Sequence, residues 1–352
     1  MKQFLYLVMT DQTEGGLVLV VKGVLWVLSR VYRSLLAVRG TFYKTGLLKC
    51  HQLSRPVISV GNLTVGGVGK TPLVSFIARA VKERGSRPVI LTRGYMAKKA
   101  SGQDQKSDEA AMLRADLNIP VLIGADRVKS AKMFLKEGAV DVFLLDDGFQ
   151  HWRLSRNIDI VAIDATNPWG NGHLLPRGIL REPKKALLRA HIFVITKIDL
   201  GSEHLAKIKA DLNAVNRKAV IVETVHKPVL FSDVRSKEEL DLALVRGKKI
   251  CTVCSIGSPN SFIKTLVELE TDIDGHFAFM DHHTYCAKDI EGVVKLCQEQ
   301  GITTVVTTEK DAVKLGAFMD MFPDDIRVLA LRIKISIVSG EAAFLERIYH
   351  IL

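Results

Sequence analysis

An apolar run that breaks into glycines, then into a lysine and a threonine, constrains this chain more than any other stretch. It reads Val57-Ile58-Ser59-Val60-Gly61-Asn62-Leu63-Thr64-Val65-Gly66-Gly67-Val68-Gly69-Lys70-Thr71-Pro72. The order predicts a strand, a tight loop and a helix over 72–84. Gly66, Gly67 and Gly69 let the backbone curl until several N–H groups face one concavity. Lys70 adds a full positive charge, the Thr71 hydroxyl suits a magnesium ion, and the following helix points its positive end at the same place. Residues Thr64, Val65, Gly66, Gly67, Val68, Gly69, Lys70 and Thr71 are therefore read as a cradle for nucleotide phosphates. Thr64 stands where the usual pattern has a first glycine.

A second segment supports the first. Asp141-Val142-Phe143-Leu144-Leu145-Asp146-Asp147-Gly148 is an apolar strand that ends in two carboxylates. An acid at such a strand end can hold magnesium opposite the Lys-Thr pair. Asp-Gly also favours a plain Asx turn, so the strand end alone does not decide. Beside the glycine loop, Asp146 and Asp147 are read with Thr71 as metal ligands.

With 352 residues the chain exceeds one average domain. A net charge of +11 favours an anionic partner. No long Lys/Arg run occurs and aromatic residues make up only 7%, which argues for phosphate sites and a membrane-facing patch over nucleic acid. Five cysteines, an odd number without framework spacing, fit a reducing compartment. Cys251 and Cys254 have the spacing of a metal pair, but they lie in an apolar run that reads as a buried strand.

Residues 16–28 are almost wholly apolar, interrupted by Lys22 and followed by Arg30, Arg33 and Arg39. That is short and charged for a spanning helix, which needs roughly 20 apolar residues. Asp11 and Glu14 before the run, and no clean cleavage site after it, argue against a signal peptide. The segment reads as a helix in the membrane interface, with Trp26 at the boundary and the basic side chains meeting lipid phosphates. The alternative is a packing helix of a soluble domain.

From residue 56 strands and helices alternate. Strands are expected at 56–60, 88–92, 120–123, 141–146, 158–164 and 191–196, giving a mostly parallel sheet with ligands beyond its carboxyl edge. A second group is expected at 219–225, 249–255, 303–307 and 327–333, with helices near 259–269 and 287–300. Residues 226–247 read as an irregular, charged boundary. The expected organisation is therefore α/β throughout: an interface region at 1–50, a nucleotide-binding core at 51–218, a smaller α/β domain at 219–335 whose end strands cross between the two, and a final helix within 336–352 returning to the core.

Three further clusters carry polar chemistry. Thr92-Arg93-Gly94-Tyr95 follows a strand, and Ser107-Asp108-Glu109-Ala110 opens a helix. Asp108 and Glu109 suit a helix cap, the simpler reading, or a base and a metal contact. In Asp281-His282-His283-Thr284-Tyr285 a histidine beside an aspartate suits proton transfer, or a solvated turn. Thr196-Lys197-Ile198-Asp199 resembles the element that reads guanine in many G proteins, which keeps open a GTPase or metallochaperone of the phosphate-loop class.

Taken together, the segments resemble one family closely, the tetraacyldisaccharide 4′-kinases of lipid A biosynthesis. The matching stretches are 59–72, Thr92-Arg93-Gly94-Tyr95, Asp108-Glu109 and Asp146-Asp147-Gly148-Phe149-Gln150-His151. They continue with Gly170-Asn171-Gly172-His173-Leu174-Leu175-Pro176-Arg177-Gly178, Leu180-Arg181-Glu182-Pro183, Asp281-His282-His283 and Thr308-Glu309-Lys310-Asp311. Val68, Ser107, Arg177 and Met280 depart from the family's usual residues. The resemblance implies a phosphate-loop NTPase core. It also implies transfer of the ATP γ-phosphate to the 4′-hydroxyl of a tetraacyldisaccharide 1-phosphate, at the cytoplasmic face of a bacterial inner membrane, with no nucleic acid and no protein partner. It implies that Asp108 and His282 act as a pair at the acceptor hydroxyl while Lys70 and Arg181 serve the transferring phosphate. It further implies magnesium held by Thr71, Glu109, Asp146, Asp147 and Glu182, and substrate contacts from Tyr95, Arg127 and His151.

Overall fold

The computed structural model describes residues 2–94, 113, 118–281 and 283–352. Tyr95, Asp108, Glu109 and His282 lie outside the described residues. The chain forms two compact units. Of the described residues, the first holds 2–94, 118–225 and 337–352, and the second holds 113, 226–281 and 283–336.

The first unit opens with α1 (Lys2–Met9) and α2 (Gly16–Lys44). Its sheet is built from β1 (Val57–Asn62), β2 (Pro88–Thr92), β3 (Val121–Ile123), β4 (Val142–Asp146), β5 (Ile158–Asp164), β6 (Ile192–Thr196) and the start of β7 (Val220–Asp233). The order is β3-β2-β4-β1-β5-β6-β7, and every pairing in it is parallel. Strands β1, β4, β5 and β6 are buried at every position. That is why they read as continuous apolar runs: helices cover both faces of a parallel sheet. Those helices include α3 (Lys70–Glu83), α4 (Arg127–Glu137) and α5 (Ser202–Val215). Helix α3 begins at Lys70, earlier than the sequence suggests, because Gly69 adopts φ 80° at its N-cap and turns the loop directly into the helix.

Helix α2 is 29 residues long, about 43 Å at the usual rise per residue. The sequence signals only its apolar first half; the second half carries Arg30, Arg33 and Arg39 and has no comparable apolar run. One face docks on the unit through the Ser29 hydroxyl to Leu174 O (3.0 Å), the Tyr32 hydroxyl to Arg181 O (2.9 Å) and Arg39 Nη2 to Gln150 O (2.9 Å). Leu17, Val20, Val24, Val27, Leu28, Val31, Leu35 and Val38 form an exposed apolar stripe at helical spacing along another face. No helix among the described residues is long and apolar enough to cross a membrane.

In the second unit, β9 (Lys249–Cys254), β10 (Asp272–Ala278), β11 (Thr304–Thr308) and β12 (Arg327–Ser339) form a parallel sheet in the order β10-β9-β11-β12. The short β8 (Glu239–Leu240) pairs antiparallel with the end of β7. Helices α6 (Pro259–Glu268), α7 (Ala287–Gln300) and α8 (Glu309–Leu315) cover this sheet, and α9 (Glu341–Tyr349) belongs to the first unit. Residues 226–233, expected to be irregular, continue β7. Their alternating half-exposed side chains disguise the strand. Cys251 and Cys254 are fully buried in β9. They belong to different hydrophobic clusters, as residues three apart on a strand must. They are core thiols, and burial pushes the Cys254 thiol up to about 12.

Candidate active site

The carboxyl ends of β1 and β4 are adjacent, with Val60 in register with Asp146. The glycine loop leaves one strand and the Asp146–Asp147 pair ends the other, as expected for a ligand crevice in a parallel sheet. The turn after β4 is pressed hard onto β1. A Cβ at Gly148 would meet Ser59 Oγ at 2.5 Å, so no other residue fits there unless the turn shifts.

Four polar side chains converge on this point. Lys70 Nζ donates to Asn62 Oδ1 at 3.0 Å and lies 3.3 Å from Asp147 Oδ1. Arg181 Nη1 donates to both oxygens of Asp147, at 2.8 and 2.9 Å. Asp147 itself sits at φ 47°, a left-handed conformation that aims its carboxylate at both cations. Burial would raise the Asp147 carboxyl, but Lys70 and Arg181 outweigh it and hold it at about 2. Arg181 reaches the site because residues 179–181 pair with the loop: Val65 N donates to Ile179 O at 2.8 Å and Arg181 N to Leu63 O at 2.7 Å.

Asp146 is buried and accepts from the Thr92 hydroxyl at 3.2 Å. Arg127, the first residue of α4, is buried as well. Burial lowers its guanidinium while Asp146 and Asp147 support the charge, so these acids lie within electrostatic reach. His151 is half-buried, and its Nε2 has no hydrogen-bond partner among the described residues. Burial, then the positive field of Arg127, Arg156 and Arg153, pushes its imidazole down to about 4. It is therefore neutral near pH 7. Glu182 directly follows Arg181 in the chain. It is buried, with its carboxylate bound to Arg189 at 3.0 and 3.1 Å. The hydroxyl of Thr71 and the carboxylates of Asp146, Asp147 and Glu182 are hard oxygen groups of the kind magnesium prefers; Asp147 and Glu182 each hold an arginine here.

Several residues of this site escaped the sequence reading. Asn62 is fully buried and holds both Lys70 and the loop, through Nδ2 to Thr64 O at 2.6 Å. Gln150 links Asn62 O (3.0 Å) to Arg181 Nη1 (3.3 Å). The Thr196-Lys197 element serves the loop from below. The Thr196 hydroxyl donates to Val68 O at 3.0 Å, and Lys197 Nζ donates to Gly67 O at 3.2 Å while paired with Asp164. With two of its carbonyls held in this way, the loop is fixed where its N–H groups must act. Asn62 and Gln150 lie inside the stretches that carry the family resemblance, but nothing local marks their side chains as the partners of Lys70 and Arg181.

A glycine-rich loop entering a helix, a lysine held over a strand-end aspartate, and an arginine on the same carboxylate define a phosphate-loop phosphotransferase. A family model described as "Tetraacyldisaccharide-1-P 4'-kinase" matches residues 21–352. The tetraacyldisaccharide 4′-kinase of Syntrophus aciditrophicus is 38% identical, covering 82% of this chain and 83% of that protein. That of Halothermothrix orenii is 34% identical, covering 89% and 88%. Among solved structures, the "apo" form of LpxK from Aquifex aeolicus in complex with ATP has a TM-score of 0.73 at 28% identity, covering 94% of this chain and 99% of that one. The chain belongs to the tetraacyldisaccharide 4′-kinase family. Its activity is that of an ATP-dependent kinase of lipid A biosynthesis, and the GTPase alternative is not favoured.

Proposed function

We propose that the loop from Thr64 to Thr71 cradles the ATP phosphates and that Lys70 and Arg181 neutralise charge on the transferring group. The observation that carries this reading is the convergence of both cations on Asp147 at the loop mouth. Phosphoryl transfer needs positioning and electrostatic stabilisation more than covalent help. Incoming phosphate oxygens compete with Asp147 for both cations, so the carboxylate becomes available to a metal. Thr71, Asp146 and Asp147, with Glu182, would hold magnesium, which screens the phosphate charge when bound. Arg127 and His151 face the same carboxylates or the adjoining turn and would contact substrate, with Tyr95. Asp108 and His282 are assigned to the acceptor hydroxyl on the family resemblance, as orienting and proton-accepting partners, with Glu109 beside them.

The acceptor is a tetraacyldisaccharide 1-phosphate, and α2 brings the protein to it. Burying a Val or Leu side chain contributes ~1.5–3 kcal/mol. Partial insertion of the α2 stripe therefore supplies on the order of 5 kcal/mol, enough for peripheral binding. The membrane is assigned as the cytoplasmic face of a bacterial inner membrane, where ATP is available. The test is product analysis after incubating the full chain with labelled ATP, magnesium and the disaccharide 1-phosphate lipid. Label at the 4′ position supports the reading; label released only as inorganic phosphate overturns it.

A further inference from the structure

Two of the acids assigned to magnesium hold an arginine, and the two pairs are built differently. Arg181 reaches Asp147 through one nitrogen, Nη1, which donates to both carboxylate oxygens. Arg189 grips Glu182 as a fork, with Nη1 at 3.0 Å from Oε2 and Nη2 at 3.1 Å from Oε1. A fork on two oxygens sets the plane of a carboxylate as well as its position. It uses one lone-pair site of each oxygen and leaves the other open to a second partner. Glu182 is only 3% exposed, so its charge needs a fixed counterpart in the protein.

Arg189 is itself held from behind. It ends the short helical segment Lys184–Arg189 that leads into β6. Its guanidinium carbon lies 4.3 Å from the centre of the Phe149 ring and 4.8 Å from that of Trp152. Phe149 is fully buried, in a turn so close to β1 that a Cβ at Gly61 would meet its backbone nitrogen at 2.6 Å. Trp152 packs edge-on against Tyr43, 5.6 Å between ring centres, and the Arg39 guanidinium lies 5.2 Å from its ring. The two rings give the Arg189 charge a second support, so Glu182 can share its oxygens with an incoming cation without stranding the guanidinium. Phe149 lies two residues beyond Asp147, and Glu182 follows Arg181. Arg189 therefore ties the turn that carries Asp147 to the segment that carries Arg181 and Glu182.

We propose that Arg189 is a positioning residue of the metal site: caged by Phe149 and Trp152, it orients the Glu182 carboxylate for magnesium. The inference rests on the assignment of Glu182 to the metal in the proposed function. Arg181 is the arginine that phosphate can draw away; Arg189 is the one that stays.

The probe is Mn2+, followed by its electron paramagnetic resonance signal as it binds the full chain saturated with a non-hydrolysable ATP analogue. Arg189→Gln should weaken Mn2+ binding by about tenfold, the usual size of losing a partner behind a metal ligand. Affinity for the analogue without metal should stay at the parent value. Arg189→Lys keeps the charge but not the fork, and should lose nearly as much. Lys185→Gln, which removes a charge from the same segment, should match the parent. The proposal is overturned if Arg189→Gln binds Mn2+ as the parent does or more tightly, the latter making Arg189 a competitor of the metal. It is also overturned if Arg189→Lys restores full affinity, if Lys185→Gln does equal damage, or if analogue binding without metal falls in step. Should Arg189→Gln not fold, Arg189→Lys, which leaves Glu182 with a cation, decides alone. Glu182→Gln separates the layers: parent-like Mn2+ affinity there removes Glu182 from the metal site and the proposal with it, whereas a loss there with none in the Arg189 variants overturns the proposal alone.

Discussion

Two aspartates in this molecule follow parallel strands, Asp147 in the turn after β4 and Asp311 in the first turn of α8 after β11, each with a lysine beside it, and they do opposite things. In the second unit Asp311 is fully buried. It accepts from Ser255 N at 2.9 Å, the Thr308 hydroxyl at 2.8 Å and the Ser255 hydroxyl, with Lys314 Nζ at 3.5 Å. Its lone pairs are spoken for by neighbours within the unit. In the first unit Asp147 retains 37% of its side-chain exposure and meets Lys70 and Arg181, whose charges phosphate oxygens can take over. A strand-end carboxylate becomes a scaffold when fixed donors saturate it, and a reactive element when its partners can be recruited by a ligand.

The sharpest way to break that contrast is Lys70→Ala. It should lower kcat by about a thousandfold, since a preorganised charge at the transferring group is lost, and leave thermal stability nearly unchanged. A steady-state assay beside a melting curve checks both; near-normal turnover would remove the loop from the reaction. Asp311→Ala should do the reverse, costing about 3 kcal/mol because Lys314 and the Ser255 groups lose a buried acceptor. Denaturant unfolding reads this, and ATP affinity at temperatures where the variant is folded should match the parent.

Lys197→Met should fall between these two. It leaves Asp164 buried without its cation, so a loss of stability is expected. It also frees Gly67 O, so KM for ATP should rise by about tenfold while KM for the lipid stays put. If both constants move together, the tie beneath the loop has no specific role.

The smallest effects are in pH. The folded pKa of His151, about 4, lies below the ordinary histidine value near 6.5, so the unfolded chain takes up the proton first. Its contribution to stability is complete above pH ~6.5 and is lost as pH falls toward 4. Asp147, held at about 2, gives way only below pH ~3.8. Melting temperatures of the parent and His151→Gln across pH 7 to 4 separate the two windows: the variant should lose less. Equal losses would show that His151 is not desolvated as described.

The catalytic strands were legible because burial on both faces leaves uninterrupted apolar runs such as Val142-Phe143-Leu144-Leu145. Edge and half-exposed strands were not. Strand β10 carries Gly275 at a register shift and alternates exposed positions, so Asp272–Ala278 has no apolar run to announce it. In the site, residues within a motif were legible, as with Lys70 and Asp147. Those that act through contacts distant in sequence were not: Tyr32 reaches Arg181 across 149 residues, and Thr196 reaches Val68 across 128. Local pattern carries no information about which side chain will arrive from so far away.

The hydrogen bonds from Tyr32 to Arg181 O and from Arg39 to Gln150 O have a practical consequence for handling this protein. The helix assigned to lipid contact is also a splint for Arg181, the arginine assigned to the phosphate. Trimming the amino terminus through residue 38 to gain solubility removes Tyr32 and with it the brace on Arg181, so a drop in turnover after such a cut does not isolate membrane attachment. Replacing Val24, Val27, Val31 and Leu35 with polar residues leaves Ser29, Tyr32 and Arg39 in place, and separates adhesion to the bilayer from the bracing of Arg181.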